Sequence, residues 1–317
     1  MNSSTKAPAD PFIMSTTVEA PAKVNLFLRM DGTREDGYHL LFSAFQTLSL
    51  CDEITVRIRP RRKDEKDSAG VVIGSNSSAL PKDPFKNTAF LAAYRFLEKM
   101  TCREYTVQID MIKNIPSQAG LGGGSSDAAS VLAAMDTLFP GKVSREDLLK
   151  IAVSIGADVP FFLTGGTALC EGIGEIVTPL PELTGLPMLL MKPQRGVSTP
   201  ACYKAFDAMG GKNITEEEKT LLKSVMTDPA SPADRLRLAS VYWTNDLQAP
   251  AIASVPEIED GIRLMADGGA VFSAMSGSGS AVFGFFDQED SVDYLMDTPE
   301  FRALIRDGWW AQKAFAR

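Results

Sequence analysis

Residues 120–126 form the stretch of this sequence best suited to hold an anion. The run reads Gly-Leu-Gly-Gly-Gly-Ser-Ser, and its glycines leave several backbone N–H groups free to converge on one bulky ligand. After it, Ala128, Val131, Leu132 and Met135 recur at the spacing of an amphipathic helix. Because a glycine loop that opens onto a helix N-terminus is a typical phosphate site, the run predicts phosphate binding.

The same run fits neither of two common phosphate loops. A Walker A loop ends in Gly-Lys-Ser or Gly-Lys-Thr, whereas Ser125 stands where the lysine belongs. A dinucleotide loop needs glycine at position 125 or 127, and these positions are Ser125 and Asp127. The alternatives are a phosphate loop of another kind or a glycine-rich surface turn that is capped by Ser125 or Ser126.

Lys23 and Asn25 lie in a run that alternates like a β-strand. Val24, Leu26 and Leu28 take the intervening positions, so the two polar side chains should share one face of the strand. That face is either the solvent side of an edge strand or a functional surface. Since lysine is a usual side chain for stabilising a developing anion, Lys23 is a candidate catalytic group.

Asp158 stands in an apolar setting that suits either a structural or a functional carboxylate. It follows Gly156, where a helix is predicted to end, and it precedes Pro160 and two phenylalanines. One interpretation is an aspartate that hydrogen-bonds nearby backbone, and the other is an acid with a perturbed pKa. The sequence alone leaves both open.

His39 is the only histidine in the chain. Any acid-base role for histidine must therefore fall on it, and a metal site built from several histidines is excluded. The residues Gly37-Tyr38-His39 follow a polar turn. Such a setting either exposes an aromatic ring and an imidazole to a ligand or half-buries the tyrosine.

The elements that must position these residues mix strands and helices without a regular repeat. Alternation predicts strands over 18–29, 42–58, 105–112, 188–192, 270–275 and 280–286, the last two joined by a small-residue turn at 276–280. Helical spacing and capping signals predict helices over 87–100, 125–138 and 144–155 and near Pro200, Thr215 and Pro256. This order favours an α+β fold in both halves of the chain.

Composition divides the chain into a tail and two domains. The first residues are rich in Ser, Pro and Ala, which predicts a disordered tail over 1–16. The stretch 177–187 carries Pro and Gly like an interdomain connection, so we expect domains over 17–178 and 179–317. A chain of 317 residues is long enough for each domain to have its own core.

Charge and hydrophobic content narrow the class of protein. The chain is 44% hydrophobic, and its net charge of −8 argues against a nucleic-acid partner, which needs a basic face. No apolar stretch has the length of a membrane span, and the N-terminus lacks the order of a secretion signal. The four cysteines show no Cys-x-x-Cys spacing. We therefore expect a cytoplasmic protein without a membrane or nucleic-acid partner.

Five motifs taken together closely resemble the GHMP kinase superfamily. In chain order they are Pro21-Ala-Lys-Val-Asn-Leu, Gly37-Tyr-His, Gly120-Leu-Gly-Gly-Gly-Ser-Ser-Asp-Ala-Ala, Gly156-Ala-Asp-Val-Pro-Phe-Phe and Met275-Ser-Gly-Ser-Gly. The resemblance runs from about Val18 to about Phe286, and the set is far more specific than any single motif. The second and fourth motifs separate the chain from the mevalonate, homoserine and galactose kinases of the superfamily.

The resemblance implies a two-domain fold and an ATP site. The N-terminal domain would be an ATP-binding domain of the ribosomal S5 domain 2-like type, and the C-terminal domain would be ferredoxin-like. The whole glycine loop would wrap the ATP phosphates. It comprises Pro116, Ser117, Gln118, Ala119, Gly120, Leu121, Gly122, Gly123, Gly124, Ser125 and Ser126. Mg²⁺ is expected with the ATP, near the hydroxyl of Ser125 or Ser126, and its protein ligands are unknown.

The resemblance also implies the reacting groups and the acceptor. The catalytic pair falls on Lys23 and Asp158, with Asp158 accepting a hydroxyl proton and Lys23 stabilising the developing alkoxide. The substrate would be held by Asn25, Tyr38, His39, Thr199 and Tyr203. Tyr203 would stack on a cytosine opposite Tyr38. The implied partner is a small molecule, a cytidine diphosphate-linked methylerythritol, whose 2-hydroxyl receives the γ-phosphoryl of ATP in a non-mevalonate route to isoprenoid precursors. A monomer or weak homodimer is expected.

Two other functions are alternatives to this one. The first is another small-molecule kinase of the same superfamily, of the mevalonate or homoserine type. The second is a non-catalytic nucleotide- or RNA-binding module on an S5-like scaffold, which would need neither Lys23 nor Asp158 and would prefer a basic surface. The acidic net charge and the presence of both residues count against that module.

Overall fold

The first half of the chain folds into a six-stranded sheet. The structure, a computed structural model, describes residues 12–65, 70–77, 81 and 83–317. The strands are β1 (Met14–Thr33), β2 (His39–Pro60), β3 (Val71–Ser75), β4 (Tyr105–Ile112), β5 (Thr167–Gly172) and β6 (Ile176–Pro179). Their order is β3-β4-β2-β5-β6, and β1 pairs along the full length of β2.

Among the described residues, four α-helices belong to this half, and they pack on the sheet or on one another. They are α1 (Thr88–Lys99), α2 (Gly123–Leu138), α3 (Arg145–Ile155) and the single turn α4 (Val159–Phe162). Phe96 of α1, Leu132 of α2 and Ile151 of α3 pack with Val56 and Ile109 of the sheet in one buried cluster. Burial of these side chains, at about 1.5–3 kcal/mol each, fixes α2 and therefore the position of the loop that precedes it.

Local signals set the ends of the helices. Asn87 caps α1 by accepting from the N–H of Phe90 at 3.1 Å, and Ser144 caps α3, as the sequence predicts. Helix α2 begins at Gly123, two residues before the predicted start. The reason is that Gly122, with φ of 72°, turns the loop directly into the helix without a side-chain cap.

The long hairpin of β1 and β2 corrects the predicted end of the disordered tail. Met14, Ser15 and Thr16, which the sequence assigns to a disordered tail, pair with residues 56–58 of β2. The alternation seen from residue 18 onward did not reveal these pairs, because they depend on the length of the partner strand. Residues 1–11 of the predicted tail lie outside the described residues.

The second half is a four-stranded antiparallel sheet with helices in its connections. The strands are β7 (Pro187–Lys192), β8 (Phe272–Met275), β9 (Val282–Phe285) and β10 (Trp310–Phe315), in the order β10-β7-β9-β8. Helices α5 (Thr199–Ala208), α6 (Glu216–Met226), α7 (Pro232–Ser240), α8 (Gln248–Ser254) and α9 (Glu257–Asp267) connect β7 to β8. Helices α10 (Glu289–Asp297) and α11 (Pro299–Arg306) connect β9 to β10. A β-α-β-β-α-β order with this strand arrangement is ferredoxin-like, so the predicted α+β fold is confirmed.

The two halves share one buried core. Val24 and Phe27 of β1 belong to the same apolar cluster as Met188 and Phe283 of the second sheet. Strand β6 ends at Pro179 in the first sheet and β7 begins at Pro187 in the second. The division at residue 178 stays a prediction. None of the described helices is long and apolar enough to cross a membrane.

Two loops hold the halves together beside the middle of β1. Gly120 of the glycine loop has φ of 76°, and a Cβ there would lie 2.1 Å from the carbonyl oxygen of Ser276 in the β8–β9 loop. The Ser276 hydroxyl donates to the Gly120 carbonyl at 3.0 Å, and the Ala281 N–H donates to the Ala119 carbonyl at 3.1 Å. The absence of a side chain at Gly120 is therefore what allows the loops to meet.

Replacing Gly120 with alanine should destabilise the protein more than the same change at Gly141. Both glycines have positive φ, which costs alanine about 1–2 kcal/mol. Gly141 has no neighbour within 4 Å of a Cβ, whereas at Gly120 the added methyl meets backbone. We expect a loss in the free energy of unfolding of roughly 3 kcal/mol or more for Gly120→Ala and of only about 1–2 kcal/mol for Gly141→Ala, measured by urea denaturation. Equal losses would contradict the loop contact.

Candidate active site

Two cavities share the glycine loop as a wall. The first, the Lys23 cavity, has a volume of about 760 Å³, and its lining includes Lys23 and Asp158. The second, the loop cavity, has a volume of about 700 Å³, and residues 113–125 form much of its lining. Gln118, Gly120 and Gly122 line both cavities. A group bound to the loop from one side is therefore adjacent to the contents of the other cavity.

Lys23 is buried rather than exposed on an edge strand. Its side chain is 4% exposed, and its Nζ donates to Asn25 Oδ1 at 2.5 Å. The same nitrogen lies 3.6 Å from Asp158 Oδ2 and 4.5 Å from the ring centroid of Phe45. An ammonium group is retained in such a place only when partners replace its water, and here an amide, a carboxylate and an aromatic face do so.

Asn25 is held in place through both its side-chain amide and its backbone N–H. Its Nδ2 donates to Ser43 Oγ at 3.0 Å, and its backbone N–H donates to Ser276 Oγ at 3.3 Å. Ser43 in turn donates to the carbonyl of Phe27. Because the Nδ2 is occupied by Ser43, the amide oxygen faces Lys23 and fixes the position of the ammonium group.

Asp158 immediately precedes α4 and faces Lys23. Among the described residues its carboxylate makes no capping hydrogen bond to that helix. Its side chain is 29% exposed, and it lines the Lys23 cavity. Of the two interpretations that the sequence leaves open, the arrangement favours a carboxylate that is available to a ligand.

The loop cavity has the features of an anion site. Gly122 turns with positive φ into α2, whose first N–H groups have no partner within the helix. A Cβ on Gly122 would lie 2.7 Å from the ring of Phe162, so this close packing requires glycine. Ser125 lines the cavity, whereas Ser126 is fully buried and its hydroxyl has no hydrogen-bond partner among the described residues. Of the two serines, only Ser125 therefore faces the loop cavity.

Three charged groups with little solvent exposure lie at the loop cavity, and two of them, Lys113 and Asp127, belong to its lining. Lys113, directly after β4, contacts Asp52 of β2 and Asp127 of α2 through its ammonium group. Asp52 also accepts from the backbone N–H groups of Asn114 and Ile115 at 2.5 and 2.8 Å. Burial raises the pKa of Asp127, although the Lys113 ammonium opposes that shift.

The residues predicted to hold the substrate separate into two groups. Asn25, Thr199 and Tyr203 line the Lys23 cavity, and Thr199 is hydrogen-bonded to Ser278 at 2.7 Å. Burial, with a smaller contribution from the charge of Asp158, raises the pKa of Tyr203 to about 12. Tyr38 and His39 are not part of that lining.

The ring arrangement differs from the predicted pair of Tyr38 and Tyr203. Tyr203 is stacked on His39, with ring centroids 5.0 Å apart and an angle of 19° between the planes. His39 Nε2 lies 3.3 Å from Asp207 Oδ2. Tyr38 is 61% exposed, and its ring lies against the guanidinium group of Arg34. His39 therefore supports the Tyr203 ring from behind, and substrate contact by either Tyr38 or His39 stays a prediction.

Sequence reasoning missed residues that act through contacts between distant segments. From β2, Phe45 contacts the Lys23 ammonium and Ser43 holds the Asn25 amide, and Ser276 joins the two halves. Asp127 and Ser276 lie inside motifs that the sequence analysis quotes, although neither was named as a site residue, and Lys113 lies just before the glycine loop. Ser43 and Phe45 carry no pattern that distinguishes them from ordinary strand residues.

Two family descriptions match the chain. Residues 87–166 match "GHMP kinases N terminal domain", and residues 225–295 match "GHMP kinases C terminal". A curated relative from Clostridium novyi, 4-diphosphocytidyl-2-C-methyl-D-erythritol kinase, is 41% identical over 270 residues, which cover 84% of this chain and 90% of the relative.

Solved structures agree with these matches. A crystal structure of 4-(cytidine 5'-diphospho)-2C-methyl-D-erythritol kinase is 32% identical with a TM-score of 0.69, and the alignment covers 95% of this chain and all of that one. A homoserine kinase from Cytophaga hutchinsonii, at 19% identity, has a TM-score of 0.70 over 100% and 97% of the two chains and shares the fold. The chain belongs to the GHMP kinases, and within them to the family of the 4-diphosphocytidyl-2-C-methyl-D-erythritol kinases.

Proposed function

We propose that this chain transfers the γ-phosphoryl group of ATP to the 2-hydroxyl of 4-diphosphocytidyl-2-C-methyl-D-erythritol. The observation that carries the proposal is the shared wall. The glycine loop separates a cavity suited to phosphates from a cavity that contains Lys23 and Asp158. Phosphoryl transfer depends mainly on positioning the two substrates and neutralising charge, and a common wall provides the positioning.

We place the ATP phosphates against the loop and the N-terminus of α2. The loop offers backbone N–H groups without Cβ atoms in the way, and the helix adds the positive end of its dipole. Lys86, Thr88 and Trp310 form other parts of the cavity wall and are available for the rest of the nucleotide. Mg²⁺, when bound with ATP, supplies charge neutralisation, and Ser125 is the loop hydroxyl that faces it in this proposal.

Asp158 and Lys23 act on the acceptor hydroxyl. Asp158 accepts the proton as the hydroxyl oxygen attacks, and the Lys23 ammonium stabilises the negative charge that develops on that oxygen. Asn25 keeps the ammonium in place through its amide oxygen at 2.5 Å. The cytosine occupies the region of Thr199 and Tyr203, where one face of the Tyr203 ring is already covered by His39.

Phosphorylation of a substrate panel tests the choice of acceptor. We expect turnover with the cytidine diphosphate substrate and little with mevalonate or homoserine, since Tyr203 gives the cavity an aromatic surface suited to a base. Preference for mevalonate or homoserine would assign the chain to another kinase of the superfamily. RNA binding without phosphoryl transfer would contradict the assignment of this chain as a kinase. The cytoplasmic location and the monomer or weak homodimer stay predictions.

Asp158→Asn should abolish turnover and leave ATP binding intact. The amide cannot accept the hydroxyl proton, so we expect kcat to fall by roughly 10²–10⁴-fold. Asp158 does not belong to the lining of the loop cavity, so the Kd of an ATP analogue should change by less than about 2-fold. Asp260→Asn, at an exposed aspartate of α9, is the matched control and should leave both quantities unchanged. Near-normal turnover in the Asp158 variant would remove the general base from the mechanism.

Tyr203→Leu should weaken the cytidine substrate selectively. Stacking on a base contributes about 1–3 kcal/mol, so loss of the ring should raise KM for that substrate by roughly 5-fold to 100-fold. The KM for ATP should stay the same, because Tyr203 lines the Lys23 cavity and is not part of the loop cavity lining. Tyr242→Leu, at an exposed tyrosine of the second half, is the control. An unchanged KM for the cytidine substrate would place the cytosine elsewhere.

A further inference from the structure

The buried group of Asp52, Lys113 and Asp127 takes no part in the proposed phosphoryl transfer. The side chains are 0%, 16% and 7% exposed, in that order. Two carboxylates and one ammonium are therefore largely removed from water, and Lys113 and Asp127 belong to the lining of the loop cavity. Removing charged groups from water costs free energy, and close pairing between opposite charges offsets that cost. The function of the group follows from where the three residues lie in the fold.

The three residues connect the two ends of the glycine loop. Lys113 precedes the loop, and Asp127 follows it in the second turn of α2. The Lys113 ammonium contacts Asp127 directly, so residues on either side of the loop are joined by one ion pair. Asp52 of β2 contacts the same ammonium and accepts from the N–H groups of Asn114 and Ile115. The loop entrance is thereby fixed to the sheet as well as to the helix.

Lys113 has little freedom to leave this arrangement for a phosphate. Its departure would leave Asp52 and Asp127 as two buried carboxylates without their shared cation, which is strongly unfavourable. Asp127 Oδ1 already lacks a hydrogen-bond partner among the described residues, so the helix side of the group has no substitute for the lysine. The Lys113 ammonium therefore acts on the glycine loop by fixing the positions of its two ends.

We propose that Lys113 is a positioning residue, which holds the glycine loop in its phosphate-binding shape before the nucleotide arrives. The proposal rests on the assignment of ATP to the loop cavity. In a loop whose glycines give the backbone wide conformational freedom, the ends must be fixed by other residues if the N–H groups are to converge. Asp52 and Asp127 fix them through Lys113.

Hydrogen exchange in the nucleotide-free protein tests whether Lys113 holds the ends of the glycine loop. Equilibrium binding tests whether this restraint strengthens nucleotide binding. The variants are Lys113→Met, Lys113→Arg and Asp127→Asn. The control is Lys99→Met, which removes a lysine-aspartate pair between α1 and Asp147. The measurements are amide exchange over residues 114–124 and over β9, the Kd of a non-hydrolysable ATP analogue, and the KM for the cytidine substrate. The Asp127 variant keeps the contact between Asp52 and Lys113 and serves if Lys113→Met does not fold.

Lys113→Met should speed exchange over 114–124 by roughly 10-fold and raise the analogue Kd by about 10-fold or more, with β9 exchange and the KM for the cytidine substrate unchanged. Lys113→Arg should restore both to within about 3-fold. Asp127→Asn should loosen mainly residues 120–124, because Asp52 still holds 114 and 115. A weaker Kd with unchanged loop exchange would mean that Lys113 binds phosphate directly, and an unchanged Kd would remove its role. Hydrogen exchange and analogue binding are measured without the cytidine substrate. A wild-type protein that is inactive on that substrate would therefore overturn the proposed function without affecting the test of Lys113.

Discussion

The structure depends on the contact between Gly120 and Ser276. Each residue comes from a different half of the chain, and the Cα of Gly120 packs so closely on the Ser276 carbonyl that no side chain fits between them. The same serine donates to the Gly120 carbonyl and accepts from the N–H of Asn25. One side chain therefore joins the glycine loop, the second half of the chain and the strand that carries Lys23.

This contact explains why the Lys23 cavity and the loop cavity can share one wall. Lys23 donates its own backbone N–H to Leu121 at 3.0 Å, so β1 and the loop are also hydrogen-bonded to each other. The ammonium and the loop N–H groups then have a fixed spacing that does not depend on a bound ligand. Preorganised groups of this kind stabilise developing charge without reorganisation during the reaction.

The parts of the structure that were predictable from the sequence are those fixed by local interactions. Asn87 and Ser144 predict the starts of their helices, because an N-cap side chain contacts residues only a few positions away in the sequence. Strand β10 and helix α8, which contains Pro250, were missed because short or interrupted elements give weak periodicity. The resemblance to the GHMP kinases supplied the fold of both halves, which periodicity alone describes only as α+β.

The sequence named two candidate residues of the site but not their environment. Lys23 and Asp158 are named by the motifs, but their sequence neighbours allowed a solvent-facing lysine and a helix-stop aspartate. The Lys23 ammonium contacts Phe45 on the paired strand and Asp158, which is distant in the sequence. Long-range pairings of this kind leave no local pattern, and the same holds for the stacking of Tyr203 on His39.

The two buried lysines on either side of the loop differ in how their charge is balanced. Lys113 contacts two carboxylates, so its positive charge is fully compensated. Lys23 has one carboxylate at 3.6 Å and a neutral amide at 2.5 Å. Because Coulomb attraction falls with distance and an amide carries no net charge, more of the Lys23 charge remains available. In the proposed function, the lysine with the less compensated charge is the one assigned to the developing alkoxide, and Lys113 is the one assigned to the shape of the loop.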